Sequence, residues 1–172
     1  MTFNLDDQRH LTAAEGWLEL SLHLEANSEL EKITPKLHGH PDVLDIRWQI
    51  YAKEKKWEAC VHIATAIINL APDRADGWIH RSFALHEMQR TQEAFDLILP
   101  VVDKFPKIWT IPYNLACYAS RLHKFDVAEK WLKQAMTVDA ETVQAAAIED
   151  EDLKPLCASL GGTMWKREGG HC

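Results

Sequence analysis

The sequence predicts an all-α protein, a solenoid built from antiparallel helix pairs. Two observations carry this prediction: similar residues recur 34 positions apart, and each 34-residue stretch holds two apolar-periodic halves around a polar break. Pro72 and Pro106 are one such pair of residues, and Ala94 and Ala128 are another. Self-similarity at a period of roughly 20–50 residues is typical of solenoids and related repeat folds.

The period divides the chain into four helix pairs and a tail. In the last three pairs, the second half has small or apolar residues at i, i+4 and i+7, which share one face of a helix. These nine residues are Cys60, Ala64, Ile67, Ala94, Ile98, Val101, Ala128, Leu132 and Ala135. We therefore expect a single domain over residues 1–172. Its parts are a degenerate first pair at 7–40, further pairs at 41–74, 75–108 and 109–142, and a capping tail at 143–172.

At this spacing the sequence resembles the tetratricopeptide repeat family, whose pattern is a 34-residue helix–turn–helix. Trp78, Ala94 and Pro106 fit the aromatic, small and proline positions of one repeat, and Ala128 fits the small position of the next. The resemblance covers residues 7–142. It implies an α-solenoid whose first helices line a concave groove, and a non-catalytic role in protein–protein interaction.

The groove positions of that family, carried onto this chain, provide the candidate binding residues. Ile79, Phe83 and Tyr113 would form an apolar patch with polar side chains around it, as at a peptide-binding site. The alternative is that these side chains fill the space between first helices or contact the C-terminal segment. The candidate set is Gln49, Lys53, Ile79, Phe83, His86, Tyr113, Cys117 and Arg121.

The resemblance also bears on the partner. One branch of the family binds acidic C-terminal peptides of chaperones through a clamp of Lys, Asn and Arg side chains. Among the clamp positions here only Asn114 matches in type, and Asp45 would repel a carboxylate. We therefore expect a protein or peptide partner of apolar and basic character. The alternative hypothesis is a self-associating structural repeat protein, a homo-oligomer whose groove is idle.

Several residues depart from the family pattern. Trp48 stands where the two helices of a pair approach closely, so it should spread them or be accommodated by the small Cys60. Arg47 and Arg81 stand where Leu is usual; a buried Arg is costly unless it is paired, so we expect ion pairs or exposed head groups rather than a binding role. Pro100, late in a second helix, should bend or end it, as should Pro35.

No pattern of catalytic residues is visible in the sequence, and we expect neither an enzyme nor a cofactor. The zinc-protease pattern needs two His four residues apart, and the stretch that starts at His86 and Glu87 ends in Arg90. Cys117 has no neighbouring base that could activate it. The four acids at 149–152 read as a solvated run, and we expect no metal site.

Composition and charge exclude further classes of function. A chain of 172 residues with a net charge of −7 is a poor candidate for binding nucleic acid or an anionic membrane. No apolar run approaches the ~18 residues of a membrane span. The four cysteines form no C-x-x-C pair, a spacing typical of reduced thiols, so we expect a cytoplasmic protein.

Overall fold

The computed structural model describes residues 2–161, and these form helices and turns without a β-strand. The α-helices of this range are α1 (Leu5–Glu19), α2 (His23–Leu30), α3 (Pro41–Lys53), α4 (Trp57–Leu70), α5 (Asp76–Glu87), α6 (Thr91–Ile98), α7 (Thr110–Arg121), α8 (Phe125–Val138), α9 (Ala140–Glu149) and α10 (Lys154–Ser159). Short 3-10 helices occupy Pro35–Leu37, Leu99–Lys104 and Glu151–Leu153.

The chain divides into two compact units, Met1–Ala84 and Leu85–Cys172, with the boundary inside α5. In the first unit α1 packs on α2 and α3 packs on α4, while α3 also contacts α1 and α2. In the second unit α7 packs on α6 and on α8, and α8 packs on α9. The turns within the pairs are short, which makes the paired helices antiparallel neighbours.

The turn inside each helix pair contains one residue with a left-handed backbone. Its φ lies between 55° and 62° at Ser21, Lys55, Gln89 and His123. These residues stand 34 positions apart, so the repeat is present in the backbone as well as in the sequence. Each turn closes with the same two hydrogen bonds; in one of them Lys56 N–H donates to the Tyr51 carbonyl at 2.9 Å. This Schellman arrangement satisfies carbonyls at the end of the first helix.

The predicted helix faces are buried. All nine small or apolar residues of the second helices are at most 4% exposed. Trp48, itself buried, lies in a cluster with Cys60, Ala64 and Ala84. The small side chains of these three residues provide the room that the indole needs, so Cys60 and its neighbours accommodate Trp48 as expected.

The other departures from the repeat pattern also have structural explanations. Pro100 lies in the 3-10 helix that follows α6, because proline lacks the N–H that would continue the α-helix. Pro35 opens another 3-10 helix after α2 has ended. Arg47 forms an ion pair with Glu31 at 3.1 Å, and the Arg81 guanidinium lies 5.3 Å from the centre of the Trp78 ring.

The last helices cover the end of the second unit. Leu153 and Leu156 are buried, and α10 packs on both α7 and α8. The Leu156 N–H donates to Ser120 Oγ at 3.2 Å, which ties α10 to α7. Such a cap removes the open apolar face that a terminal repeat would otherwise have. Residues 162–172 of the predicted capping tail lie outside the described range.

None of the helices between residues 2 and 161 combines the length and the apolar composition that crossing a membrane requires.

Candidate functional site

The candidate residues fall in both units, and four of them belong to the first. Gln49 and Lys53 are exposed on α3. Ile79 is half-buried on α5, and Phe83, one turn further along, is 37% exposed. A large apolar side chain is therefore accessible among polar ones on this face of the first unit.

Phe83 belongs to an aromatic cluster that sequence reasoning did not identify. The Trp48 ring stacks on His80 with 3.8 Å between ring centres, and Phe83 meets Trp48 edge-on at 6.2 Å. Trp57 meets Phe83 edge-on as well, with 5.9 Å between ring centres. Edge-to-face aromatic pairs fix the ring orientation. The available signal was Trp48 itself, a large residue at a position that the repeat reserves for a small one.

A carboxylate orients the histidine of this cluster. Asp45 Oδ1 lies 2.7 Å from His80 Nε2, and Gln49 Nε2 donates to Asp45 Oδ2 at 2.9 Å. Burial by itself would raise the pKa of Asp45, but the hydrogen bond and charge of His80, together with Gln49 and the charge of Arg74, lower it. Asp45 is therefore a carboxylate at neutral pH, held by His80 and Gln49.

The remaining four candidates lie in the second unit, and three of them are buried. Tyr113, Cys117 and His86 are each less than a tenth exposed, whereas Arg121 is exposed. All four contact residues 150–153, a stretch that we call the acidic segment. The structure thus brings these four candidates together around a part of the chain itself.

Asp150 accepts hydrogen bonds from two of these residues. Tyr113 Oη donates to Asp150 Oδ2 at 2.7 Å, and Cys117 Sγ lies 3.5 Å from the same oxygen. Burial raises the pKa of Tyr113, and the thiol of Cys117 and the Asp150 carboxylate add to this effect. Burial and the charges of Asp150 and Asp152 raise the pKa of Cys117 well above its ordinary value. Both groups are therefore protonated donors at neutral pH.

Asp152 engages the other two candidates. Its Oδ2 lies 2.9 Å from His86 Nε2, and its Oδ1 lies 3.5 Å from Arg121 Nε. The other ring nitrogen of His86 contacts Thr91 Oγ1 at 3.0 Å, and the imidazole packs on the Tyr118 ring. His86 is thus held in place independently of Asp152.

These contacts correct the prediction that residues 149–152 form a solvated acidic run. Glu149 and Glu151 are exposed, but Asp150 and Asp152 are drawn in by donors on α5 and α7. For Tyr113 and Cys117, contact with the C-terminal segment, which was the alternative to an open groove, is what the structure shows.

Two buried cysteines are poorly reactive. Cys60 and Cys117 are free and buried, and burial raises the pKa of Cys60 to about 11. Thiols with raised pKa values are poor nucleophiles, because the thiolate is the reactive form. Among residues 2–161, no three His, Cys, Asp or Glu side chains are grouped closely enough to hold a metal ion.

The antiparallel helix pairs, and the turns that recur every 34 residues, define a tetratricopeptide-type α-solenoid, which confirms the predicted fold class. A thermophilic TPR protein from Thermus thermophilus has a similar structure, with a TM-score of 0.76 at 17% sequence identity over 90% of this chain and 83% of that one. MamA from Desulfovibrio magneticus RS-1, from residue 41 to its end, gives a TM-score of 0.68 at 13% identity over 93% and 94%. At these identities the likeness concerns the fold. No protein-family model and no curated protein matches the sequence.

Proposed function

We propose that this protein is a non-catalytic interaction module, an adaptor or scaffold that binds a peptide or helix on the first-helix faces of its repeats. The proposed repeats are the helix pairs α1–α2, α3–α4, α5–α6 and α7–α8. They correspond to residues 7–40, 41–74, 75–108 and 109–142 of a single domain over residues 1–172.

One observation carries this proposal: the first-helix face of α7 already holds a chain segment. Tyr113 and Cys117, which contact Asp150, stand 34 positions after Ile79 and Phe83. The same repeat positions therefore hold a segment in the second unit and carry the half-exposed Phe83 in the first. This equivalence supports a binding role for Phe83 and its neighbours.

The partner of the first-unit face is proposed to be apolar and basic. Phe83 offers an apolar contact, and the Asp45 carboxylate favours a positive charge nearby. The net charge of −7 argues against nucleic acid and anionic membranes as partners.

Site-specific photo-crosslinking tests the proposal. A photoreactive phenylalanine analogue replaces Phe83 in one sample and Val127, which is equally exposed at 37%, in a matched control. Both proteins are irradiated in extract of the source cell, and the crosslinked products are identified by mass spectrometry. We expect a partner that is captured from position 83 and not from position 127, and Phe83→Ala should weaken its retention by the unlabelled protein. Equal capture from both positions would contradict a binding face at Phe83.

The second candidate function is self-association, and exposed leucines favour it. Leu5, Leu20 and Leu24 are 72%, 66% and 78% exposed in the first unit. Apolar side chains at such exposure stabilise an assembly when a second copy covers them. The same photoreactive analogue at Leu24 separates the two candidates. Crosslinks between copies of this chain from position 24, without capture of any protein from position 83, would indicate assembly with an idle groove.

A further inference from the structure

The face that holds the acidic segment consists of hydrogen-bond donors. Tyr113 presents an O–H, Cys117 an S–H, His86 a ring nitrogen and Arg121 a guanidinium N–H. Carboxylates are the natural complement of such a set, because an ionised carboxylate only accepts hydrogen bonds and does so at both oxygens.

The donors are positioned by groups other than the acidic segment. The Tyr113 ring packs edge-on against Trp109 with 5.5 Å between ring centres. His86 is held by Thr91 and by the Tyr118 ring. If the acidic segment moved away, these donors would keep their arrangement and would still require acceptors. Buried donors without partners are unfavourable, so another ligand with carboxylates would be stabilised in the same place.

The acidic segment has a shape that a separate peptide can reproduce. Asp152 N–H donates to Asp150 Oδ1 at 2.9 Å, and this turn lets the two carboxylates, two residues apart, face different members of the donor set. Asp150 meets Tyr113 and Cys117, whereas Asp152 meets His86 and Arg121. Leu153 follows and is buried. The ligand is therefore described by a four-residue pattern: an acidic residue, any residue, a second acidic residue and an apolar residue.

We infer that this face is a binding site for acidic peptides with two carboxylates two residues apart, and that the acidic segment is its resident competitor. The inference rests on the proposed function, because it assumes that first-helix faces bind peptides. Access of an acidic peptide then requires release of residues 150–153, which makes the contact autoinhibitory. This preference is opposite to that proposed for the first-unit face, where Asp45 favours a basic partner.

The test uses the full chain and a labelled synthetic peptide with the sequence of residues 148–156. In the variant Asp150→Asn/Asp152→Asn the cis contacts lose their charge while side-chain size is kept. Fluorescence anisotropy should show that this variant binds the peptide at least tenfold more tightly than the wild type does. A peptide with Asn at both acid positions should lose that gain.

Two further variants make the result specific. The variant Glu149→Gln/Glu151→Gln removes two negative charges, as the double Asn variant does, but at exposed acids next to the two aspartates. It should bind the peptide with the affinity of the wild type. Adding Tyr113→Phe to the double Asn variant removes one donor and should reverse most of the gain. Equal binding by the double Asn variant and the wild type, or equal gains in both double variants, would overturn the inference.

Hydrogen exchange of the wild type provides a measurement that does not depend on the folding of any variant. Saturating acidic peptide should speed amide exchange in residues 150–156 and leave α7 protected. Unchanged exchange in that stretch would overturn the inference as well. Crosslinking at Phe83 concerns the first unit only, so a partner captured there without these peptide effects would refute this inference and leave the proposed function standing.

Discussion

His80 illustrates how single side chains set the properties of a face. One side of its ring lies on Trp48, and Nε2 lies 2.7 Å from Asp45. Gln49 holds the second oxygen of the same carboxylate. Asp45 thus connects α3 to α5 and fixes the ring beside which Phe83 is exposed.

Replacing Asp45 should reveal this connection as a loss of stability. We expect Asp45→Asn to lower the free energy of unfolding by about 1.5–3 kcal/mol at neutral pH, the range for a hydrogen bond to a charged group. The folded state lowers the pKa of Asp45, so its contribution is complete above the ordinary aspartate pKa of about 4 and disappears as pH falls through the lowered value. Urea unfolding at several pH values measures the difference, with the exposed Asp103→Asn as control. A difference that persists well below pH ~4 would contradict the role assigned to the charge.

At the scale of elements, the turns inside the helix pairs are the most regular feature of the chain. Four of them place a residue in the left-handed region, and none of those residues is glycine. Most side chains make this conformation unfavourable by roughly 1–2 kcal/mol. The two Schellman hydrogen bonds and the packing of the helices offset that cost.

Glycine should therefore be stabilising at these positions. We expect Lys55→Gly and Gln89→Gly each to raise the free energy of unfolding by about 0.5–1 kcal/mol, because the relief of backbone strain exceeds the entropy that glycine adds to the unfolded chain. Lys53→Gly is the matched control: it lies in α3, where the same change should lower stability by a similar amount. Denaturation in urea measures all three. Destabilisation by glycine at residue 55 would show that the Lys55 side chain, not its backbone, matters there.

At the scale of the whole molecule, each compact unit contains a buried free thiol. Cys60 belongs to the first unit and Cys117 to the second, and they are 0% and 4% exposed. Burial raises the pKa of both. The rate at which each thiol is alkylated therefore measures the opening of the unit that contains it.

Alkylation with iodoacetamide at neutral pH should leave both thiols unmodified in the folded protein and modify both in strong denaturant. Raised pKa values and burial act in the same direction here, because each reduces the amount of accessible thiolate. Site-resolved mass spectrometry across a urea series gives the opening of each unit separately. Modification of Cys117 without denaturant would show that the acidic segment does not cover it.

The fold could be predicted from the sequence because its signal is repeated. Small residues such as Ala94 and Ala128 recur at the period of the helix pairs, and each is buried where the pattern indicates. The left-handed turns could not be predicted, since Lys55 and Gln89 replace the expected glycine. Their backbone is held by the Schellman hydrogen bonds and by the packing of the helices. The residue types at these positions therefore do not indicate the left-handed conformation that the backbone adopts there.

The site could be predicted in part. The contact of Tyr113 and Cys117 with Asp150 matches the alternative to an open groove, in which these positions meet the C-terminal segment of the same chain. What covers that face could not be read from four consecutive acids, because a charge run usually remains in water. The contacts of Asp150 and Asp152 reach residues 31 to 66 positions away, and only the folded chain brings these side chains together.

The acidic segment is joined covalently to the face that it contacts, and this sets the concentration against which any soluble peptide competes. The helices α8 and α9 hold the acidic segment beside that face, and a ligand held in this way acts as if present at about millimolar concentration or above. A free peptide of the same intrinsic affinity must reach that concentration to displace half of the tethered one. Binding assays with the intact chain at micromolar peptide would consequently register little, and a physiological partner must either bind more tightly or engage a second surface at the same time.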